Sequence, residues 1–401
     1  MIDFILNKQA RLLAATPLEF QRELYTNKLI SKNRLVGLVG ARGVGKTTLL
    51  LQYIKSNYDL QEALYFSVDD VYLSGSSIYE IVDEFVKYGG KVVVIDEIHK
   101  YQNWAAELKS IYDSFPNLLV RFSGSSMLNI LEQKHDLSRR AVIAKVEILS
   151  FREYLEIKEA ISLKSLSLEE VLDNHNKLST KYALAYPNLY KEFKNYLQFG
   201  AYPFFLEDED EFKNKLFNAL EKILREDIPT LNKINYEHIS IFQKIISKLI
   251  FSKLPYKLNA TALAKELNIS YATLLYYLDI LDRANVISSV KKFSKNISKK
   301  PDKLLFANTN ILSVFADEFK TETNIGTMRE IFFTSCIKNS GMQIYYSDIG
   351  DFVVKDYTFE IGGKNKTFKQ IKDVKNGFLV IDTDYISTTN KIPLWLFGLL
   401  Y

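Results

Sequence analysis

The chain has 401 residues, 47% of them apolar and 25% charged, with a formal net charge of +4. That length exceeds one ordinary core and predicts two or three domains, and the composition is that of a globular protein, not a disordered or fibrous one. The charge is too mild to imply a nucleic-acid partner by itself, the single cysteine, Cys336, excludes an intrachain disulfide framework, and four scattered histidines give no structural zinc pattern.

Met1 to Lys8 lacks the basic start, apolar core and cleavage site of a secretory leader, and no apolar run approaches the ~18 residues that span a bilayer, so a cytoplasmic location without membrane partners is expected. Residues 1–33 read as a helical leader, with Leu12, Leu13, Phe20, Leu24 and Leu29 at roughly helical spacing. The run Leu35 to Val39 predicts a strand. It leads into Gly40-Ala41-Arg42-Gly43-Val44-Gly45-Lys46-Thr47, and Thr48 to Ile54 continues as a helix. The spacing G-x-x-x-x-G-K-T between a strand and a helix is what a phosphate-binding loop requires. Glycines let successive N–H groups face a polyphosphate at the positive end of the following helix. Lys46 would reach the β- and γ-phosphates, and the Thr47 hydroxyl would complete a Mg²⁺ shell.

Ala63 to Val68 predicts a second strand and Ser77 to Tyr88 a helix stopped by Gly89-Gly90. In Lys91 to Glu97, the β-branched run Val92-Val93-Val94-Ile95 suits a strand buried on both faces of a parallel sheet. Asp96 and Glu97 at its C-terminal end would lie beside the phosphate loop, in the crevice where such sheets bind ligands. Asp96 would hold Mg²⁺ through water, and Glu97 would deprotonate the attacking water. His99 reads as a surface residue without a catalytic role. Trp104, with Leu108, Ile111 and Tyr112, falls on the core face of a helix. Leu118 to Phe122 predicts a strand ending in Ser123-Gly124-Ser125-Ser126, where Ser125 or Ser126 could sense a γ-phosphate. Arg139 or Arg140, before the strand Val142 to Leu149, could stabilise γ-phosphate charge in the same subunit or a neighbour, or make a plain surface ion pair.

Beyond Ser150 the strand signal stops. Ile161 to Thr180 is weakly patterned and reads as an exposed helical insertion, and Phe199-Gly200-Ala201-Tyr202-Pro203 breaks two helices. Residues 239–290 resemble a winged-helix unit, with Asn259 capping a second helix and Tyr271, Thr273, Tyr276, Tyr277 and Asp279 facing outward from a third. Lys291, Lys292, Lys295, Lys299, Lys300 and Lys303 could follow a DNA backbone along the wing, or form a solvated hairpin. In the tail, a helix Gly326 to Ile337 precedes strand-like runs at 343–346, 352–354, 358–361 and 378–381. Asp351 and Glu360 on adjacent strands, near Lys364, have the composition of a Mg²⁺-dependent phosphodiesterase site or of ordinary hairpin charges.

These pieces resemble prokaryotic AAA-family ATPases in which a P-loop domain is joined to a helical winged-helix segment and a C-terminal domain similar to PD-(D/E)xK nucleases. The resemblance rests on Gly40 to Thr47, Val92 to Glu97, Phe122 to Ser126, Leu137 to Ala141, Leu149 to Tyr154, Gly200 to Pro203, Gly326 with Glu330, and Asp351-Phe352 with Glu360. It implies an α/β P-loop fold, a parallel sheet between helices, over 1–150, a helical segment over 151–237, a winged-helix-like domain over 238–310 and a small nuclease-like α/β domain over 311–401. It further implies ATP and Mg as ligands, ATP hydrolysis using Lys46, Glu97, Ser125 and Arg140, and a protein or DNA partner or a homo-oligomer. A tail site would comprise Glu330, Asp351, Glu360 and Lys364. Asn308 stands where the family has Asp, and Gly362 where a nuclease pattern has lysine, which implies a degenerate nuclease-like fold that recognises a partner.

Overall fold

The structure is a computed structural model that describes residues 1–73, 75–124, 137, 139–232, 234–235, 238–252, 255–293, 300–384 and 390–401. The chain forms two compact units, Met1–Glu147 and Ile148–Tyr401.

The first unit opens with α1 (Ile2–Ala15) and α2 (Glu23–Leu29) in place of one long leader helix. Thr16 is extended at the break (φ −80°, ψ 120°), as expected for a residue whose helical conformation is opposed by the proline that follows. The unit continues with β1 (Leu35–Val39), α3 (Lys46–Asn57), β2 (Ala63–Ser67), α4 (Ile78–Lys87), β3 (Val92–Asp96), α5 (Trp104–Ser114), β4 (Leu119–Gly124) and β5 (Ala141–Lys145). All five strands are parallel, in the order β2-β3-β4-β1-β5. Val92 to Ile95 are fully buried, which is why that apolar run does not alternate. Trp104 lies in the core with Leu108, Ile111 and Phe122, as its helical spacing predicts.

Two polar devices fix the sheet. The Gln9 side chain donates to Ala63 O (2.9 Å) and accepts from Tyr65 N–H (2.6 Å), so α1 covers the outer edge of β2. Arg121 is fully buried in β4 and donates to the carbonyls of Leu29 (2.8 Å), Ser31 (3.2 Å) and Asn33 (3.0 Å), holding the turn that feeds β1.

The second unit begins at α6 (Phe151–Glu159), whose capping box pairs Glu153 N–H with Ser150 Oγ (3.1 Å) and Ser150 N–H with Glu153 Oε2 (2.9 Å). The stretch read as an exposed insertion is instead a packed helix, α7 (Leu168–Ala185). It buries Leu168, Val171, Leu172, His175 and Tyr182, the last with its ring 6.3 Å from Trp395. Its apolar stripe is narrow and separated by Ser, Lys and Glu, which dilutes the periodic signal. α8 (Leu189–Phe199) ends at Gly200 as expected, and α9 (Phe212–Lys222) passes through a π-helical turn, Ile223–Asp227, into α10 (Ile228–Asn232).

Next come α11 (Ile239–Ile250), β6 (Tyr256–Lys257), α12 (Ala260–Glu266), α13 (Tyr271–Arg283), β7 (Ile287–Val290) and β8 (Lys303–Phe306), with an antiparallel sheet in the order β6-β8-β7. Asn259 caps α12 by accepting Ala262 N–H (3.1 Å), as its position predicts. α14 (Thr309–Glu318) starts at Asn308, which accepts Ile311 N–H (3.1 Å) and donates to the Tyr202 hydroxyl (3.0 Å).

The tail holds α15 (Ile325–Asn339), β9 (Tyr345–Tyr346), β10 (Phe352–Val354), β11 (Tyr357–Gly363), β12 (Gly377–Asp382) and β13 (Lys391–Pro393) in the order β13-β12-β11-β10-β9. β13 has three residues, too few for a sequence pattern. Just beyond β7, Tyr346 N–H donates to Lys291 O and Phe293 N–H to Tyr346 O (both 2.8 Å), so the segment 291–293 pairs along the β9 edge of the tail sheet. Among the described residues no helix is long and apolar enough to cross a membrane.

Candidate functional site

The phosphate loop lies where β1 turns into α3. A Cβ on Gly40 would sit 2.3 Å from Val146 O, so only glycine admits the chain leaving β5. Gly45 (φ 91°) takes the left-handed conformation immediately before α3. Lys46 is buried, its ammonium donating to Gly40 O (3.0 Å) and Ala41 O (2.8 Å). Thr47 and Thr48 are exposed on the first turn of α3.

β4 lies between β1 and β3, so the acidic pair reaches the loop across an intervening strand. Asp96 bridges that gap. Its Oδ2 accepts from the Thr47 hydroxyl (2.6 Å) and the Tyr65 hydroxyl (2.8 Å), and its Oδ1 from Glu97 N–H (3.1 Å) and the Ser123 hydroxyl. A hydroxyl that donates to a carboxylate keeps its own lone pairs for a hard cation, so Thr47 and Asp96 form an oxygen pair suited to Mg²⁺.

Glu97 has positive φ (53°) and sits at the start of a 3₁₀ turn, Ile98–Lys100. Burial pushes its carboxyl above the usual range, Lys46 pulls the other way, and Asp96 adds to the rise. His99 is buried in the same turn, with Nε2 3.5 Å from Glu97 Oε2, so the surface reading of His99 is corrected. The turn folds His99 back under the strand end, and a single histidine after an acidic pair carries no periodicity to reveal this. Tyr65 and Ser123 also escaped the sequence reading as site residues. Their relevance comes from the lateral order β2-β3-β4, which no local motif encodes.

Ser125 and Ser126 lie outside the described residues. Arg140 lies beside β1 but at the opposite end of the strands from its own loop. Ala141 pairs with Leu35 at the start of β1, whereas the loop follows Val39 at its end, a separation of about 13 Å along the strand. There Arg140 makes a two-pronged pair with Asp113, 3.0 Å on each arm. This placement opposes action on the phosphates of its own subunit.

In the second unit, Glu330 on α15 is buried against Lys303 of β8. Burial pushes Glu330 up to about 7 even though Lys303 pulls it down, and Asp351 and Glu360 push it further up. Asp351 Oδ2 accepts Ile361 N–H (2.8 Å), and Glu360 is fully buried and paired with Lys366. Lys366, not Lys364, is therefore the lysine paired with Glu360. A Cβ on Gly362 would lie 2.5 Å from Lys366 Cγ, so the Lys366 stem occupies the space that a side chain at 362 would need, while Lys364 is exposed. Among the described residues no three acidic, histidine or cysteine side chains converge as a metal-ligand set.

The lysine-rich wing does not stand free. Lys303 is buried on Glu330, Lys292 pairs with Asp348, and Lys295 and Lys299 lie outside the described residues. On α13, Tyr271 and Tyr276 are exposed, but Tyr277, read as outward-facing, is buried with its hydroxyl 2.7 Å from His238 Nδ1, and Asp279 is paired with Arg283 (2.8 Å).

Residues 32–155 match the family described as AAA domain, and residues 190–322 match a domain of unknown function (DUF8612). The chain is 30% identical over 290 residues to the uncharacterized protein MJ1637 of Methanocaldococcus jannaschii, covering 69% of this chain and 61% of that relative. Among solved structures it is similar to C. elegans PCH-2 (19% identity, TM-score 0.26, 40% of this chain and 44% of that one). It is also similar to a closed-state reconstruction of Hsp104 with ATPyS and FITC casein (21% identity, TM-score 0.28, 45% and 34%). The chain thus spans less than two thirds of each of these proteins. The AAA-domain match and the five-stranded parallel sheet carrying a complete phosphate loop together support an AAA-type P-loop nucleotide-binding domain in residues 32–155.

Proposed function

We propose that the first unit is a Mg²⁺-dependent ATPase. The observation that carries this reading is the hydrogen bond from Thr47 to Asp96, which joins the phosphate loop to the acidic strand end across β4. Bound Mg²⁺ would neutralise charge on the β- and γ-phosphoryl oxygens, held by Thr47 and by Asp96 through water. Lys46 exchanges its two loop carbonyls for phosphate oxygens. Glu97, held above the usual carboxylate range by burial, accepts the proton of the attacking water. Arg140, at the far end of the strands from its own loop, acts on the nucleotide of a neighbouring subunit, which makes a homo-oligomer the working form.

For the second unit we propose recognition of a protein partner whose binding depends on nucleotide state. The order of α11 to β8 suits a winged helix. The pairing of residues 291–293 with the tail sheet and of Lys292 and Lys303 with acids favours a protein over DNA. The nuclease-like tail is proposed as catalytically silent, its acidic cluster held by Lys303 and Lys366. Slow turnover in an isolated subunit is a second reading, favoured by the distance of Arg140 from the loop of its own subunit.

The test is single-turnover hydrolysis by Glu97→Gln. Retained ATP affinity with a rate at least about 100-fold lower supports the proposal, and hydrolysis at the unaltered rate removes Glu97 as the base.

A further inference from the structure

Asp96 is 2% exposed and is held from both flanking strands. The Thr47 hydroxyl and the Glu97 N–H follow from the loop and the chain itself. The other two donors, Tyr65 on β2 and Ser123 on β4, do not. Each carboxylate oxygen thus accepts two donors, one from the loop or the chain itself and one from a flanking strand.

Tyr65 pairs in register with Val94, two residues before Asp96 and on the same face of the sheet, so its ring runs along β3 and its hydroxyl meets the carboxylate from the interior side. Tyr65 is buried, and a hydroxyl at that depth needs a partner, a requirement that phenylalanine would not bring. Burial, with the Asp96 charge beside it, pushes the phenol's pKa upward, so the group is a neutral O–H donor. Ser123 is fully buried; its hydroxyl donates to Asp96 and accepts Glu97 N–H (3.2 Å), tying both acidic residues to β4.

We infer that Tyr65 is a positioning residue for the metal-binding carboxylate. Together with Ser123 it locks the Asp96 side chain toward Thr47 and thereby sets the affinity for Mg²⁺. The inference rests on the proposal that Thr47 and Asp96 hold the ion. Outer-shell partners of this kind orient the ligand, and their removal typically costs about 10- to 100-fold in metal affinity.

The experiment titrates the full chain with a fluorescent, non-hydrolysable ATP analogue at stepped free Mg²⁺, and in EDTA. For Tyr65→Phe the Mg²⁺ concentration giving half of the metal-dependent gain in affinity is expected to rise about tenfold, with affinity in EDTA unchanged. Ser123→Ala, on the opposite side of Asp96, is expected to give a rise in the same direction. An unchanged Mg²⁺ midpoint in Tyr65→Phe, or an equal loss of affinity in EDTA, overturns the positioning role while leaving the nucleotide site intact. Nucleotide binding by the unaltered chain that ignores Mg²⁺ overturns the metal proposal and this inference together.

Discussion

Replacing Lys303 with methionine tests whether the tail's charge cluster is a structural pair or a reactive site. Lys303 is 3% exposed and Glu330 8%, and the ammonium lies 4.7 Å from the centre of the Phe352 ring, so the pair is shut away from water. Glu330 already titrates near 7 against an ordinary 4.5, with burial as the main cause. Because its folded pKa lies above the unfolded one, the folded chain keeps a proton that the unfolded chain has lost. The corresponding stability is full below about pH 4.5 and is lost as pH rises through 7. At about 1.4 kcal/mol per unit, this group accounts for a decline on the order of 3 kcal/mol across that window. Lys303→Met removes the one attraction that holds the pKa down, so the window moves upward and the decline deepens. Relative to the unaltered chain, the variant should lose little at pH 5 and about 3–5 kcal/mol at pH 8, the cost of a buried charge without its partner. Adding Glu330→Gln should recover most of the loss at pH 8. The chain has two tryptophans, Trp104 in the first unit and Trp395 in the second, so a Trp104→Phe background lets Trp395 fluorescence follow urea unfolding of the second unit alone. Equal destabilisation at both pH values would show that Lys303 does not act through the charge of Glu330.

Two further predictions concern the first unit. Arg140→Ala and Lys46→Ala should each be inactive alone, but mixing them should restore hydrolysis, since one supplies an intact loop and the other an intact arginine; no recovery on mixing contradicts action across subunits. His99→Gln should lower the single-turnover rate about 10- to 100-fold by misplacing Glu97 while ATP affinity stays unchanged, and an unchanged rate would show that the 3.5 Å approach has no part in the chemistry.

The parts of the site that lie in one short stretch were legible from sequence. Gly40 to Thr47 carries its own spacing, and the buried run before Asp96 announces a parallel strand. What depends on lateral strand order was not legible: Tyr65 and Ser123 become site residues only because β2 and β4 flank β3. Arg140 was found as a residue but not as a place, because proximity to β5 does not say at which end of its neighbour β1 it falls. In the tail, Asp351, Glu360 and Glu330 do share one neighbourhood, but the lysine there comes from position 366, made available by Gly362, and a second comes from β8. α7 was misread because polar residues interrupt its stripe, and its packing against Trp395 is a contact far along the chain.

In the function proposed here the loop Gly40 to Thr47 binds the triphosphate, with Lys46 as its charged anchor. Equilibrium titration of the full chain with a fluorescent ATP analogue in Mg²⁺, beside Lys46→Ala, tests it most directly. Saturable binding to the unaltered chain is expected, with an affinity at least about 100-fold weaker in the variant, the loss of about 3 kcal/mol that follows when a charge-assisted contact to phosphate is removed. Equal affinity in the two proteins would contradict it.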